Sequence, residues 1–363
     1  MMDLSLFYFA NDTAIAGTGG RYELLLEGAK FADRSGLAAV WTPERHFHPF
    51  GGAYPNPSVL GAAIAAVTER VAIRAGSVVA PLHHPLRIAE EWAVVDNLSN
   101  GRVGLAFASG WHSVDFILRR EDYENRRERV IEAVDEVRSL WGGGTYSGLD
   151  GQGRPVEVRA FPPPVQPELP VWLTAARGIE TFEAAGRLKA GVLTHMLGQD
   201  PPELARKIAA YRTAAQKHHP GWNGHVVLML HTLLGTDIDV VREQVRGPFS
   251  AYLKSSMHLI ARSLIGDDID LEQINESDMD YLVARAFDRY FTIGGLFGTV
   301  EDAQGLVESA AGLGVDEIAC LVDFGVEKST VIAGFEHLGE LQRRIVAEHQ
   351  PVEFSTLRQG EFR

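Results

Sequence analysis

The chain has 363 residues, 45% of them hydrophobic and 23% charged, which describes a globular protein and excludes wholesale disorder. Lysine and arginine total 34 against 48 acidic residues, and the net charge of −14 argues against a nucleic-acid or anionic-membrane partner. Cys320 is the only cysteine, which removes a disulfide framework and a thiolate metal cluster, and no apolar run reaches the roughly 18 residues that cross a bilayer.

The opening MMDLSLFYFAND has no basic region before its apolar stretch. It reads as a first strand at 4–9 rather than a signal peptide, and a cytoplasmic location is the expectation. Helical spacing of Tyr22, Leu25, Leu26, Ala29, Phe31 and Ala32 predicts a helix over 21–35, stopped by Gly36. A second strand at 38–41 runs into TPERHFHPFGGAYPNP, a proline- and glycine-rich loop holding Glu44, Arg45, His46 and His48. An alanine-rich helix over 58–68, a third strand at 71–79, a helix over 84–98 and a fourth strand at 102–108 follow. Four such alternations in about 110 residues imply parallel strands with crossover helices, as in a doubly wound sheet or a (β/α)8 barrel. The first loop holds Gly17-Thr18-Gly19-Gly20, the wrong spacing for GxGxxG, and no acidic residue ends the second strand. A dinucleotide-binding Rossmann unit is therefore rejected.

An amphipathic helix over 123–141 closes on Gly142-Gly143-Gly144. Residues 145–170 are rich in proline and glycine and have no helical period, an excursion with a small hairpin around 156–159. A fifth strand at 171–174, a helix to residue 187, and a sixth strand at 191–194 ending at His195 come next. A helix over 201–217, with Pro201 and Pro202 suited to its first turn, leads to a seventh strand at 225–234. Residues 237–290 are helical and irregular, too long for one connection, and lead into a loop at 291–299; an insertion on this side of a barrel commonly acts as a lid. A helix over 300–312, an eighth strand at 317–323 and a last helix over 326–348 precede a polar, peripheral tail from Gln350. Eight strands, without repeats or a flexible linker, make residues 1–363 one (β/α)8 TIM barrel domain. Its additions are the excursion at 145–170 and the helical insertion, the lid, at about 237–297.

Barrel enzymes place their chemistry at the C-terminal strand ends. After the second strand, Glu44 suits an ion pair with Arg45 or another basic residue, and a histidine there suits a polar pocket. Two histidines with an intervening apolar residue, and no carboxylate beyond Glu44, do not make a metal site. After the third strand, small residues from Gly76 to Ala80 let a flat ligand lie against the backbone. The fourth strand delivers Ser109, Gly110, Trp111 and His112 to its end. Arg126 and Arg127 open the next helix, and arginine is well suited to a phosphate, although surface arginines on such a helix are common. The turn Thr174-Ala175-Ala176-Arg177-Gly178 is short, small and opens a helix, so several backbone N–H groups can point at one anion. No nucleophile elbow and no Walker motif is present. A phosphate site without an acid–base pair or nucleophile suggests that a cofactor carries the chemistry.

Eight stretches in order resemble the bacterial-luciferase-like flavin monooxygenases. They are WTPERHF (41–47), GSVVAPLHHPLR (76–87), LSNGRVGLAFASGW (98–111), residues 125–141, PVWLTAARGIETFEAAG (170–186), LTHMLGQ (193–199), GLFGTVEDA (295–303) and GVDEIACLVDFG (314–325). LTHMLGQ and GLFGT look most like the subgroup associated with nonribosomal peptide and polyketide biosynthesis. The resemblance implies a barrel that binds reduced FMN at the C-terminal strand ends. Gly76, Ser77 and Val78 would lie under the isoalloxazine, where the family often has a non-prolyl cis peptide. Ser109, Gly110 and Trp111 would border the ring, Arg126 or Arg127 would meet the phosphate, and Thr174, Ala176, Arg177 and Gly178 would supply its cradle. The luciferases have Glu-His-His-Phe, and their catalytic first histidine falls here at Arg45, leaving His46 as the second; their reactive cysteine falls at Ala108. Both departures weaken a claim of aldehyde oxidation with light emission.

The expected activity is an FMN-dependent monooxygenase in natural-product biosynthesis. A separate flavin reductase would supply reduced FMN, and O2 would oxygenate a small or carrier-protein-bound substrate. His46, His112 and His195 would hydrogen-bond or relay protons, with no metal. The alternatives are a hydride-transfer enzyme using a deazaflavin and a non-catalytic flavin-binding protein. The sequence leaves the oligomeric state open, and the resemblance favours a homodimer.

Overall fold

The computed structural model describes residues 2–9, 20–48, 52–110, 112–175, 178–255 and 276–348. Its first half runs β1 (Asp3–Phe7), α1 (Glu23–Ser35), β2 (Ala39–Thr42), α2 (Pro57–Ala65), β3 (Ala72–Val79), α3 (Pro85–Ser99), β4 (Val103–Ala108) and α4 (Arg126–Trp141). The hairpin β5 (Tyr146–Leu149) and β6 (Pro155–Val158), then β7 (Val171–Thr174), α5 (Ile179–Arg187), β8 (Gly191–His195), α6 (Pro201–His218) and β9 (Val226–Leu234) follow. The chain continues with α7 (Ile238–Ser255), α8 (Glu276–Ile293), β10 (Leu296–Gly298), α9 (Val300–Gly312), β11 (Glu317–Leu321) and α10 (Lys328–Glu348).

Eight parallel strands close a barrel in the order β1–β2–β3–β4–β7–β8–β9–β11 and back to β1, the expected (β/α)8 architecture. The helices start where the sequence supplies caps. Asn56 Oδ1 accepts from the N–H groups of Ser58 and Val59, Asp200 accepts from Glu203, and Thr299 forms a capping box with Asp302. Among the described residues no helix is long and apolar enough to cross a membrane.

Two details differ from the sequence reading. The stretch expected as a loop at 291–299 contains the end of α8 and β10, a ninth parallel strand paired with Thr232, Leu233 and Leu234. β9 has nine residues and outruns β11, so its upper half is free to take that short partner. The hairpin is also longer than expected, with both strands exposed and antiparallel. The Gly17–Gly19 stretch and the tail from Gln350 lie outside the described residues.

The lower barrel is filled by a polar plug. Glu317, fully buried, accepts from Ser5 Oγ (2.5 Å), Trp41 Nε1 (2.9 Å) and Arg74 Nη1 (2.6 Å). The Arg74 guanidinium lies over the rings of Trp41 and Trp172 at 4.9 and 4.7 Å. Trp172 needs the glycines of its neighbouring strands, since a Cβ on Gly191 would stand 2.2 Å from its ring and one on Gly104 2.8 Å. Burial alone would raise the Glu317 carboxyl, but Arg74, His225 and the donors from Ser5 and Trp41 hold it below the usual carboxylate range. Asp3, His225 and Glu317 offer ligand atoms within 4.8 Å of one another. Trp172 Nε1 donates to His225 Nδ1 at 3.0 Å, however, which assigns the ring proton to Nε2, the atom facing Glu317. With Arg74 already on the same carboxylate, this set is a hydrogen-bonded plug and is unsuited to a cation.

Candidate active site

Strand alternation directs Gly76, Thr174, His195 and His231 into the upper barrel, on the same face as the plug residues two or more positions before them. On β3 the register shifts between Gly76 and Val78, so Ser77 is an extra residue in the ladder, and the Gly76–Ser77 peptide is cis, at the position the family resemblance implies. A Cβ on Gly76 would stand 2.7 Å from the Phe7 ring and 3.1 Å from Trp41. Ser77 Oγ meets Thr174 Oγ1 at 2.5 Å across the intervening strand β4, which carries the small Ala106 and Ala108 there. Val78 is buried.

At the end of β4, Gly110 has φ +75°, and a Cβ there would press on Val79 (2.9 Å) and Phe116 (3.0 Å). Ser109 is half-buried beside it. Trp111, expected at the ring border, lies outside the described residues. His112 Nδ1 pairs with Asp115 Oδ1 at 3.2 Å, and its ring meets His48 with centroids 6.3 Å apart.

Glu44 is the hub that sequence reasoning left out of the site. It is fully buried as a side chain and lies at the end of β2, where Oε2 accepts from the Val79 N–H at 2.7 Å. Its other oxygen meets His46 Nε2 at 2.8 Å and His83 Nε2 at 2.6 Å. Burial pushes the Glu44 carboxyl up, and the two imidazoles with the Val79 N–H outweigh it, leaving the group below its ordinary value. Burial pushes His83 down, but the Glu44 hydrogen bond and charge raise it on balance. The partners of Glu44 are thus His46 and His83. The adjacent Arg45 is 2% exposed; burial lowers its guanidinium, and the Asp115 carboxylate opposes that shift. Nothing in the local sequence ties residue 44 to residue 83; closure of β2 on β3 does so.

The expected phosphate residues divide. Thr174 ends β7 and Gly178 is the N-cap of α5 with no side-chain cap, so backbone N–H groups of its first turn remain available to an anion. The Glu180 carboxylate folds back over that turn, 2.6 Å from where a Gly178 Cβ would be. Ala176 and Arg177 lie outside the described residues. On α4, Arg126 donates from Nη1 to the Tyr123 carbonyl at 2.7 Å and stacks on the Tyr123 ring at 4.5 Å, while Arg127 is exposed.

His195 ends β8 in register with Met229, two residues before His231 on the same face. His231 is buried against Phe249 and Tyr252 of α7, Tyr290 of α8 and Phe324, with ring centroids 4.4–5.7 Å away. Neither of its ring nitrogens has a hydrogen-bond partner among the described residues, and burial, with the nearby His195, pushes it down to about 3. Helices α7 and α8 of the insertion thus pack on the β9 side of the mouth, opposite β3 in the barrel order, while residues 256–275 of the expected lid lie outside the described residues.

A flat, phosphate-bearing cofactor fits this chemistry. Hydroxyls stand at Ser77 and Thr174 and the α5 N-terminus has no side-chain cap, while Gly76 and Gly110 let the two strand ends pack closely on Phe7 and Trp41 and on Val79 and Phe116.

The family model for luciferase-like monooxygenases matches residues 2–317. The oxygenase component of the flavin-dependent trigonelline monooxygenase of Acinetobacter baylyi is 30% identical over 213 residues, 58% of this chain and 59% of that relative. An F420-dependent glucose-6-phosphate dehydrogenase of Amycolatopsis mediterranei is 32% identical over 177 residues, 47% of this chain and 52% of the relative. The matched stretches span between half and three fifths of these relatives. Among solved structures, monooxygenase RslO1 of Streptomyces bottropensis superposes with a TM-score of 0.78 at 22% identity, over 95% of this chain and 100% of that one. The oxygenating constituent of 3,6-diketocamphane monooxygenase from Pseudomonas putida, in complex with FMN, gives 0.72 at 15% identity over 94% and 98%. At these identities the two structures speak for the fold. The match over residues 2–317 and the barrel itself agree, and the chain belongs to the luciferase-like monooxygenase family.

Proposed function

We propose that the chain is the oxygenase component of an FMN-dependent monooxygenase. In this reading a separate flavin reductase supplies reduced FMN, and the substrate is a small or carrier-protein-bound molecule of natural-product biosynthesis. Bound reduced FMN would supply two electrons and two hydrogens, so that one atom of O2 enters the substrate and the other leaves as water. The observation that carries the reading is the meeting of the Ser77 and Thr174 hydroxyls at the barrel mouth, with the α5 N-terminus after β7 lacking a side-chain cap. Gly76, Ser77, Val78 and Gly110 would hold the ring, and Thr174 and the α5 turn at Gly178 the phosphate. Arg126, committed to Tyr123, would reach a phosphate only by leaving that contact. His46, His112 and His195 stand at three different strand ends, where each can hold or move a proton while the insertion excludes water.

The test supplies purified protein with FMN, a flavin reductase and NADH, and measures oxygen uptake against a panel of acyl thioesters and N-heteroaromatic carboxylates. The trigonelline relative places the second class on the panel. Uptake above the reductase background, with an oxygenated product, is the expected result. Uptake at background for every compound, with FMN bound, would leave a flavin-binding protein without turnover. Because one relative is F420-dependent, tighter binding of reduced deazaflavin than of reduced FMN would move the reading to hydride transfer.

A further inference from the structure

We propose that His83 is a positioning residue for His46, acting through Glu44: one buried carboxylate oxygen bridges two imidazoles, and the proton that balances the carboxylate resides on the outer ring while the inner ring stays neutral. The inference rests on His46 serving the chemistry proposed above.

Glu44 Oε1 receives Nε2 of both His46 and His83, at 2.8 and 2.6 Å. A carboxylate oxygen accepts, so both contacts are satisfied only when each ring carries its proton on Nε2. That fixes the tautomer of His46 and makes its Nδ1 the acceptor whenever the ring is neutral, as a carboxylate does for an imidazole in a catalytic triad. One negative charge then faces two rings, and it balances only one added proton.

Position decides which ring holds it. The His83 side chain is 30% exposed and that of His46 is 12% exposed, with Glu44 fully buried between them. Water therefore solvates a cation better at His83. The charges facing His83 from the elements packed on it are Glu44 from the end of β2, Glu91 from α3, and Arg119 from the segment after β4. Glu91 borders a small cavity with Glu44, Ser58 and His83, and is itself tied to Arg87 (2.7 Å) and Ser58 Oγ (2.8 Å). Arg119 donates to the His83 carbonyl at 2.8 Å and is paired with Asp122 at 3.0 Å, which blunts its repulsion. His46 faces Glu44 and the ring of Phe47. A proton on His83 balances the charge of Glu44, and the shared oxygen then has no charge left for a second proton on the other ring.

The experiment is a side-chain NMR titration of the full chain labelled with 15N-histidine, without cofactor, in wild type, His83→Gln, His83→Lys and His46→Gln. Cross-peaks are assigned by their loss in the variants. His83→Gln keeps a donor to Glu44 but removes the charge, and the His46 midpoint is expected to rise by on the order of one unit. His83→Lys keeps a cation and is expected to leave that midpoint at or below the wild-type value. Reciprocity requires His46→Gln to raise the His83 midpoint by a like amount. A His46 midpoint that does not move in His83→Gln, or that rises equally in His83→Lys, overturns the proposal. The readout needs no turnover, so a failure here is distinguishable from a failure of the monooxygenase reading. With an active substrate, the same variants extend it to the pH profile of oxygen uptake, whose acidic limb would move up in His83→Gln only.

Discussion

Single residues decide how closely the end of β3 packs on the barrel interior. Gly76 has Phe7 and Trp41 against the side where a Cβ would be, and both are buried in the barrel. Gly76→Ala therefore has to push one of two rings that have little room to yield. Overpacking of this kind costs about 1–3 kcal/mol, and the displaced strand end is the proposed flavin face. The expected outcome is a lower Tm together with weaker FMN binding, read by calorimetry and by flavin fluorescence titration. Full retention of both would show that the Phe7 ring moves aside freely and that the cradle does not depend on this position. The small pair at this strand end was legible in the sequence as Gly76-Ser77, whereas the rings that press on Gly76 come from other strands and were not. Glu44 was legible only as a charged residue wanting a partner. Its partner His83 is 39 residues away, and a contact at that separation is made by strand pairing, which local spacing does not encode. The plug has the same character, since Ser5, Trp41, Arg74 and Glu317 meet only when the first and last strands join.

Elements were easier to read than contacts. Each strand–helix unit is short, carries its own apolar pattern and ends on a capping or left-handed residue, as with Gly36 and Asn100. β10 escaped because three residues show no period, and its existence depends on β9 being longer than its neighbour. The first turn of α5 was legible as an anion site from its small residues, but the carboxylate of Glu180 folded back over it was not. That carboxylate now complements the helix dipole where a phosphate would do so. Glu180→Ala removes the competing charge, and FMN affinity is expected to rise about two- to fivefold, the factor that 0.3–1 kcal/mol at a helix terminus allows. Riboflavin, which lacks the phosphate, serves as the control. Equal gains for FMN and riboflavin would place the phosphate elsewhere, and Arg126, released from Tyr123, would be the next candidate.

At the scale of the molecule, the barrel and its insertion are joined through an aromatic cluster with a histidine at its centre. Phe249 and Tyr252 of α7, Tyr290 of α8 and Phe324 surround His231, which projects from β9 and is wholly buried. The sequence showed an irregular helical stretch here; the cluster depends on how the two helices lie across the mouth. Burial first, and His195 second, push His231 from 6.5 down to about 3. Its folded value is thus depressed, so between those limits the unfolded chain binds a proton that the folded chain refuses. Stability falls as pH drops through 6.5, by up to about 1.4 kcal/mol per unit and on the order of 4 kcal/mol by pH 3. His83 has the opposite sign: raised in the fold, its contribution is complete below 6.5 and is lost as pH rises through the folded value, so it adds nothing to the acid loss. Glu44 and Glu317 are depressed carboxyls, and their contributions are lost only as pH falls below 4.5 toward their folded values. His225 is also lowered from 6.5, by burial first, and shares the sign of His231. Two acid phases are therefore expected, and His231→Phe, which keeps a ring in the cluster and removes the titrating nitrogens, should shrink the earlier one and leave the part that His225 contributes. Urea unfolding measured from pH 7.5 to 4 checks this: wild type loses stability from about 6.5, and His231→Phe loses distinctly less over the same range before the carboxylates titrate. A variant that loses stability in parallel with wild type would show that protonation at the barrel mouth is not what loosens the insertion from the strands beneath it.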